Sequence, residues 1–191
     1  PLLRFLLGAF AAVGALVFLG CPWRAWLRLA GGDGNALAGL AGLAAGIALG
    51  VLFLRKGYSL GRNRPAPRAL GWVMPLLAVG LLALLLTRPQ FGQPGPIFFS
   101  EKGPGSNHAP WAVAIGAGLL IGILAQRSRF CTVGALRDLF LLRDMHLMNG
   151  VLAFVIAAFA TNLALGQFHA GFKGQPIAHA NALWNFAGMA L

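Results

Sequence analysis

The residues of this chain best equipped for chemistry are its two cysteines, Cys21 and Cys131, each set in a polar interruption between long apolar runs. Cys21 lies in Gly20-Cys21-Pro22-Trp23-Arg24-Ala25-Trp26-Leu27-Arg28, and Cys131 in Arg127-Ser128-Arg129-Phe130-Cys131-Thr132-Val133-Gly134-Ala135-Leu136-Arg137-Asp138. Residues 112–125 before the second segment and 147–165 after it contain no Asp, Glu, Lys or Arg. Inside a bilayer, such an interruption is tolerated only where it is buried in protein or lines a cavity. Each cysteine opens a short helical pattern, and Cys21-Pro22 fits a helix start with cysteine at the cap and proline at the first helical position. A helix N-terminus offers unpaired N–H groups and the positive end of the dipole, so a thiol placed there can meet an anionic substrate. A thiol is also a weak donor and a soft partner, able to recognise a polarizable sulfur or selenium atom and still release it.

Around the thiols stand basic residues. Arg24, Arg28, Arg129 and Arg137, with Arg127, would raise the local concentration of an anion. Arg127 and Arg129 read equally well as interfacial topology markers, whereas Arg24 and Arg28 fall on the side that the charge rule puts outside, which favours a functional role. Asp138 and Asp144 are expected to pair with neighbouring arginines and hold their turn, and Asp33 or Asn35 to cap the helix that follows Gly31-Gly32-Asp33-Gly34-Asn35. Packing is the alternative for both thiols, since a free cysteine often behaves as a small hydrophobe. With no Cys-x-x-Cys spacing, two cysteines make neither a disulfide framework nor the usual zinc ligand count. No catalytic base is positioned for either, His146 reading as interfacial, so the chain reads as a non-enzyme with no cofactor and no metal.

The elements that must hold these residues follow from composition. With 58% hydrophobic and 10% charged residues, against about a quarter charged in soluble proteins, the chain reads as an all-α integral membrane protein whose first partner is the lipid bilayer. A mean hydropathy of +0.75 agrees, and 27 glycines suit helices that pack backbone to backbone in lipid. The net charge of +11 is carried between apolar runs, so it marks topology and not nucleic-acid binding. Beginning on Pro1 and ending at Leu191, inside a fresh apolar run from Asn181, the sequence reads as a fragment.

Crossings of roughly 20 residues are expected at 2–19, 36–54 and 70–86, then at 112–125 and 147–166, with a truncated one from 181. Short interrupted or re-entrant helices are expected at 21–30 and 131–143. The segment 55–68 carries five basic residues and no acidic one, which makes it cytoplasmic. The Gly/Pro-rich connection 88–110, with Glu101, an apolar stub at 91–99 and His108, is then extracytoplasmic. The cysteines are 110 residues apart, and Asp33 and Asp144 are 111 apart. A first membrane repeat over 1–87 can thus be laid over a second over 111–191. Three crossings per unit is an odd number, so the second copy is inverted, the architecture in which transporters build a substrate site between two halves.

On Gly20-Cys21-Pro22-Trp23-Arg24 with Gly31-Gly32-Asp33-Gly34-Asn35, and on Arg127-Ser128-Arg129-Phe130-Cys131-Thr132 with Gly134-Ala135-Leu136-Arg137-Asp138, the chain resembles the YeeE/YedE family of bacterial membrane proteins. It is most similar to the branch associated with selenium metabolism, and the similarity extends along most of the sequence. The resemblance implies a permease of the bacterial cytoplasmic membrane for small sulfur or selenium species, such as a thiosulfate-like anion. In thiosulfate-importing members, cysteines along a central path are thought to pass the anion inward through weak S–H hydrogen bonds. Carried over by position, Cys21 is the outer relay point and Cys131 an inner one; the family path uses more thiols than the two present here. The alternative is a membrane thiol protein that hands persulfide or selenopersulfide to a small cytoplasmic sulfur-carrier protein.

Overall fold

An apolar run in lipid has one economical way to satisfy its own backbone, which is to coil into a helix. The computed structural model describes residues 2–59, 61, 67–87, 109–175 and 180–191. The expectations for Glu101, His108, the 91–99 stub and the basic loop at 62–66 lie outside the described residues. The described elements are α1 (Leu2–Phe18), α2 (Pro22–Ala30), α3 (Asn35–Arg55), α4 (Arg68–Gly71), α5 (Val73–Thr87), α6 (Trp111–Ser128), α7 (Thr132–Leu142), α8 (His146–Ala164) and α9 (Ala182–Ala190). Among the described residues there is no strand, only an isolated bridge between Asp33 and Gly171.

Among the described residues, five stretches are long and apolar enough to cross a membrane: Leu2–Ala30, Asn35–Arg55, Ala69–Thr87, Trp111–Leu142 and His146–Ala164. The first and fourth contain the cysteines, and each is one stretch in two pieces. Both are interrupted by the same local device. Leu19 takes φ 59° and Arg129 φ 52°, and the next residue bonds back across the turn, Gly20 N–H to the Ala15 carbonyl at 3.0 Å and Phe130 N–H to the Ala125 carbonyl at 3.2 Å. This six-residue closure satisfies end-of-helix carbonyls and turns the chain out of the helix. Neither αL residue is glycine, so each break carries some backbone strain.

The chain divides into two compact units, residues 1–59 with 111–191, and residues 60–110. The second unit holds α4 and α5. Pro75 sits in the first turn of α5, where a missing N–H removes no helical bond.

In the first unit, α9 packs against α3 and α1 with backbones nearly touching. A Cβ added at Gly42 would strike the Phe186 carbonyl, one at Gly46 the Ala190 carbonyl, and one at Gly14 the Gly188 carbonyl; this is the close, small-residue packing that membrane helices use. The pairings run in the same direction along α3 and α9, so these helices are parallel. Gly188, beside the middle of α3, abuts Val17 and the Phe18 backbone, so α1 stops about halfway along α3. From there α2 continues to the end where α3 begins. α7 instead starts beside mid-α3, since Val133 shares a cavity with Leu43, Gly46 and Ile47, and it ends where α3 ends, the Arg55 guanidinium donating from Nη2 to the Phe140 carbonyl at 2.7 Å. α2 packs on α3 and α8, α7 packs on α8 and α3, and the two short helices touch. Their shared core contains Phe18, Ala25, Leu43, Ala135, Leu136, Met148, Val151 and Met189.

Candidate functional site

Each cysteine occupies the N-cap of its short helix. Cys21 is extended (φ −87°, ψ 169°), with Pro22 at the start of α2 and no side-chain cap bond. Cys131 is also extended (φ −147°, ψ 114°), and its Sγ accepts from the Gly134 N–H at 3.3 Å. Both are free thiols and both are exposed. Because α2 and α7 run from the level of mid-α3 toward opposite ends, their N-termini lie at that shared level of the unit. A cavity of about 320 Å³ lies at this level, lined among others by Ala15, Gly20, Pro22, Gly46, Val133 and Met189. Gly20 and Pro22 flank Cys21, and Val133 follows Cys131 by two positions; the thiols themselves do not line the cavity.

An aromatic cluster joins the breaks. The Trp23 ring meets Phe130 edge-on at 5.1 Å between centroids, and Phe154 of α8 closes the group at 5.6 Å from Trp23 and 5.8 Å from Phe130. Trp23 follows one cysteine by two residues and Phe130 precedes the other, so this contact holds the two polar interruptions together. Edge-on aromatic pairs contribute about 0.5–1.5 kcal/mol beyond burial. Trp23→Leu and Phe130→Leu are therefore expected to show a coupling of about 1 kcal/mol in a double-mutant cycle read by SDS unfolding; additive effects would mean that the rings do not bind the breaks to each other.

The arginines do not form one cluster. Arg24 is exposed on α2, whereas Arg28 is partly buried and paired, Nε donating to Asp33 Oδ2 at 2.7 Å with the two side chains 9% and 5% exposed. Its guanidinium carbon lies 4.7 Å from the centre of the Phe18 ring, a cation–π contact in a shielded place. The other carboxylate oxygen, Asp33 Oδ1, accepts from the Asn35 N–H and from Asn35 Nδ2, both at 2.9 Å, which caps α3. Arg129 is exposed in the second break, and Arg137, half exposed, pairs with its neighbour Asp138 at 2.7 Å. Asp144 departs from the expected arginine pairing: its Oδ1 accepts from the His146 N–H at 2.9 Å and starts α8, the role Asp33 plays for α3. Arg127 falls within the last turn of α6, where a cation complements the helix dipole.

Two features had no signal in the sequence. Phe154 sits in an apolar run that gives no reason to single it out. Asn185 of α9 is fully buried, with neither amide atom hydrogen-bonded among the described residues. Among the described residues no group of three or more His, Cys, Asp or Glu could hold a metal ion.

These elements define a multi-pass α-helical membrane protein. Comparison of the chain with protein-family models, curated proteins and solved structures gives no match.

Proposed function

We propose that this protein is a permease for a small sulfur- or selenium-containing anion, built from two inverted repeats, with Cys21 and Cys131 as relay points on one path. The carrying observation is that both cysteines cap half-helices which begin beside the middle of α3 and run to opposite ends. The inverted repeat draws support from matched details: an αL residue two positions before each cysteine, the same closing bond, and an aspartate two positions before the next long helix's first bonded N–H. Among α2, α3, α7 and α8, exchanging α2 with α7 and α3 with α8 leaves the packed pairs unchanged, whereas the packing of α3 on α9 has no counterpart at α8. The resemblance to the YeeE/YedE family points the same way and carries the expectation of a bacterial cytoplasmic membrane.

The chemistry suits transit. Two helix N-termini directed at mid-depth attract negative charge without a fixed cation, and thiols hold a soft terminal atom weakly, as conduction requires. Arginine clamps along the whole path would trap the ion, and here Arg137 is occupied by an aspartate. Uptake of radiolabelled thiosulfate, selenite and selenide into proteoliposomes tests the reading. At least one is expected to accumulate well above protein-free vesicles, and none doing so would overturn it. The exposure of Cys131 favours, as second reading, a carrier of persulfide or selenopersulfide to a cytoplasmic partner; a stable adduct on Cys131 in mass spectrometry, without uptake, would select it.

A further inference from the structure

At the end of the first unit opposite Arg55 and Phe140, loop 167–175 folds onto turn 31–35. His169 N–H donates to the Gly31 carbonyl at 3.0 Å, Gly171 N–H to the Gly32 carbonyl at 3.0 Å, and Gly34 N–H to the Gly171 carbonyl at 2.9 Å. Asn35 Nδ2 adds a bond to the Phe172 carbonyl at 2.8 Å. Gly32, at φ 96°, allows this approach, since a Cβ there would lie 2.6 Å from the His169 carbonyl oxygen. Gln175 ties the loop to itself, Nε2 donating to the His169 carbonyl at 2.7 Å and the Gly171 carbonyl at 3.1 Å.

The folded loop borders a half-open cavity of about 170 Å³ lined by Arg24, Arg28, Gly31, Asp33, Gln167, His169 and Gln175. Two guanidinium groups there face one carboxylate, and that carboxylate is fully engaged by Arg28 and Asn35. Arg24 has no acidic partner among the described residues. The Arg28 side chain is nine-tenths buried, yet its Nη2 is buried with no hydrogen-bond partner among the described residues. A buried guanidinium is costly unless its charge is compensated, and a second guanidinium beside the same polar cavity, with one carboxylate between them, favours an anionic acceptor there.

We propose that this cavity binds a small tetrahedral oxyanion, received by the guanidinium groups of Arg24 and Arg28 that line it. A water needs roughly 10–15 Å³ of such space, so about 170 Å³ holds an oxyanion with part of its hydration shell. The role as the loading site of the permease path rests on the transport reading above; the binding does not. The excess of one positive charge and the side-chain amide of Gln167 favour oxygen acceptors, in contrast to the thiols deeper in the unit, which suit a soft atom. The site would thus select for the oxygen end of a mixed anion before the thiols meet its sulfur or selenium.

The test is binding of radiolabelled sulfate and thiosulfate to the full chain in nanodiscs of zwitterionic lipid. Arg24→Gln is expected to weaken both about tenfold, as is Arg28→Lys, which keeps a cation for Asp33 but loses the second guanidinium donor. Thr161→Val on α8, outside the cavity, should bind as wild type. Loss of affinity only in nanodiscs of anionic lipid would identify a lipid phosphate as the occupant of the same oxyanion site. No measurable wild-type binding, or binding unchanged in Arg24→Gln and Arg28→Lys, overturns the proposal. The two readings fail separately: binding without uptake keeps the site and removes the permease, while uptake without binding does the reverse.

Discussion

Replacing Cys21 or Cys131 with alanine is expected to slow anion uptake about tenfold or more while the protein still reaches the membrane, because each loses one weak hydrogen-bonding partner on the path. Folding should change little. Cys21 makes no side-chain cap bond, so alanine there removes no interaction of the helix start. Cys131 gives up a single bond from the Gly134 N–H, a cap term of about 1 kcal/mol or less for a weak acceptor. Serine separates cap from cargo: Cys131→Ser restores an acceptor for Gly134 but presents a hard oxygen, so stability should return and uptake should not. Initial rates in proteoliposomes, normalised to inserted protein, decide the matter, and alanine variants transporting at the wild-type rate would remove the relay.

Asp33→Ala is expected to be the most destabilising single change at the site, lowering stability by about 3–5 kcal/mol, the range for stripping the partner from a buried ion pair. The magnitude follows from burial: Arg28 and Asp33 side chains are 9% and 5% exposed, so the orphaned guanidinium gains little water in return. The same change also removes the acceptor of the Asn35 N–H that starts α3. Asp33→Asn should fall between, keeping an amide oxygen for Asn35 but no charge for Arg28. The contrast is Asp138→Ala, which breaks a pair whose arginine is 55% exposed and should cost at most about 1 kcal/mol. Thermal melting in detergent reads both. An Asp33→Ala melt equal to wild type would show that the pair is not what holds this turn.

What could be read from the sequence was mainly local. The crossing-length apolar runs, the cap-and-proline start at Cys21-Pro22 and the capping turn at Asp33 depend on neighbours in the chain, and the helices begin where those signals stand. What escaped depended on distant partners. The run 2–19 reads as a complete crossing followed by a short helix, but α1 stops beside mid-α3 and α2 carries the stretch onward, a relation visible only through Gly188 and α9. Apolar periodicity gives no help in choosing faces, because lipid is as greasy as a helix neighbour. For the same reason Phe154 was indistinguishable from the residues around it, and the seat of loop 167–175 on turn 31–35 left no mark in either segment alone. For Asp144 the sequence suggests an arginine partner, because a carboxylate beside Arg143 looks like an ion pair; the nearer demand is the open N–H at the start of α8.

The two thiols, alike in position, are unequal in bonding. Cys131 already takes a backbone proton donor onto its sulfur, whereas Cys21 has made no such commitment at its cap. A traveller passing from one to the other would leave a versatile partner for a preoccupied one, so a passage with near-matching halves would still have a front and a back.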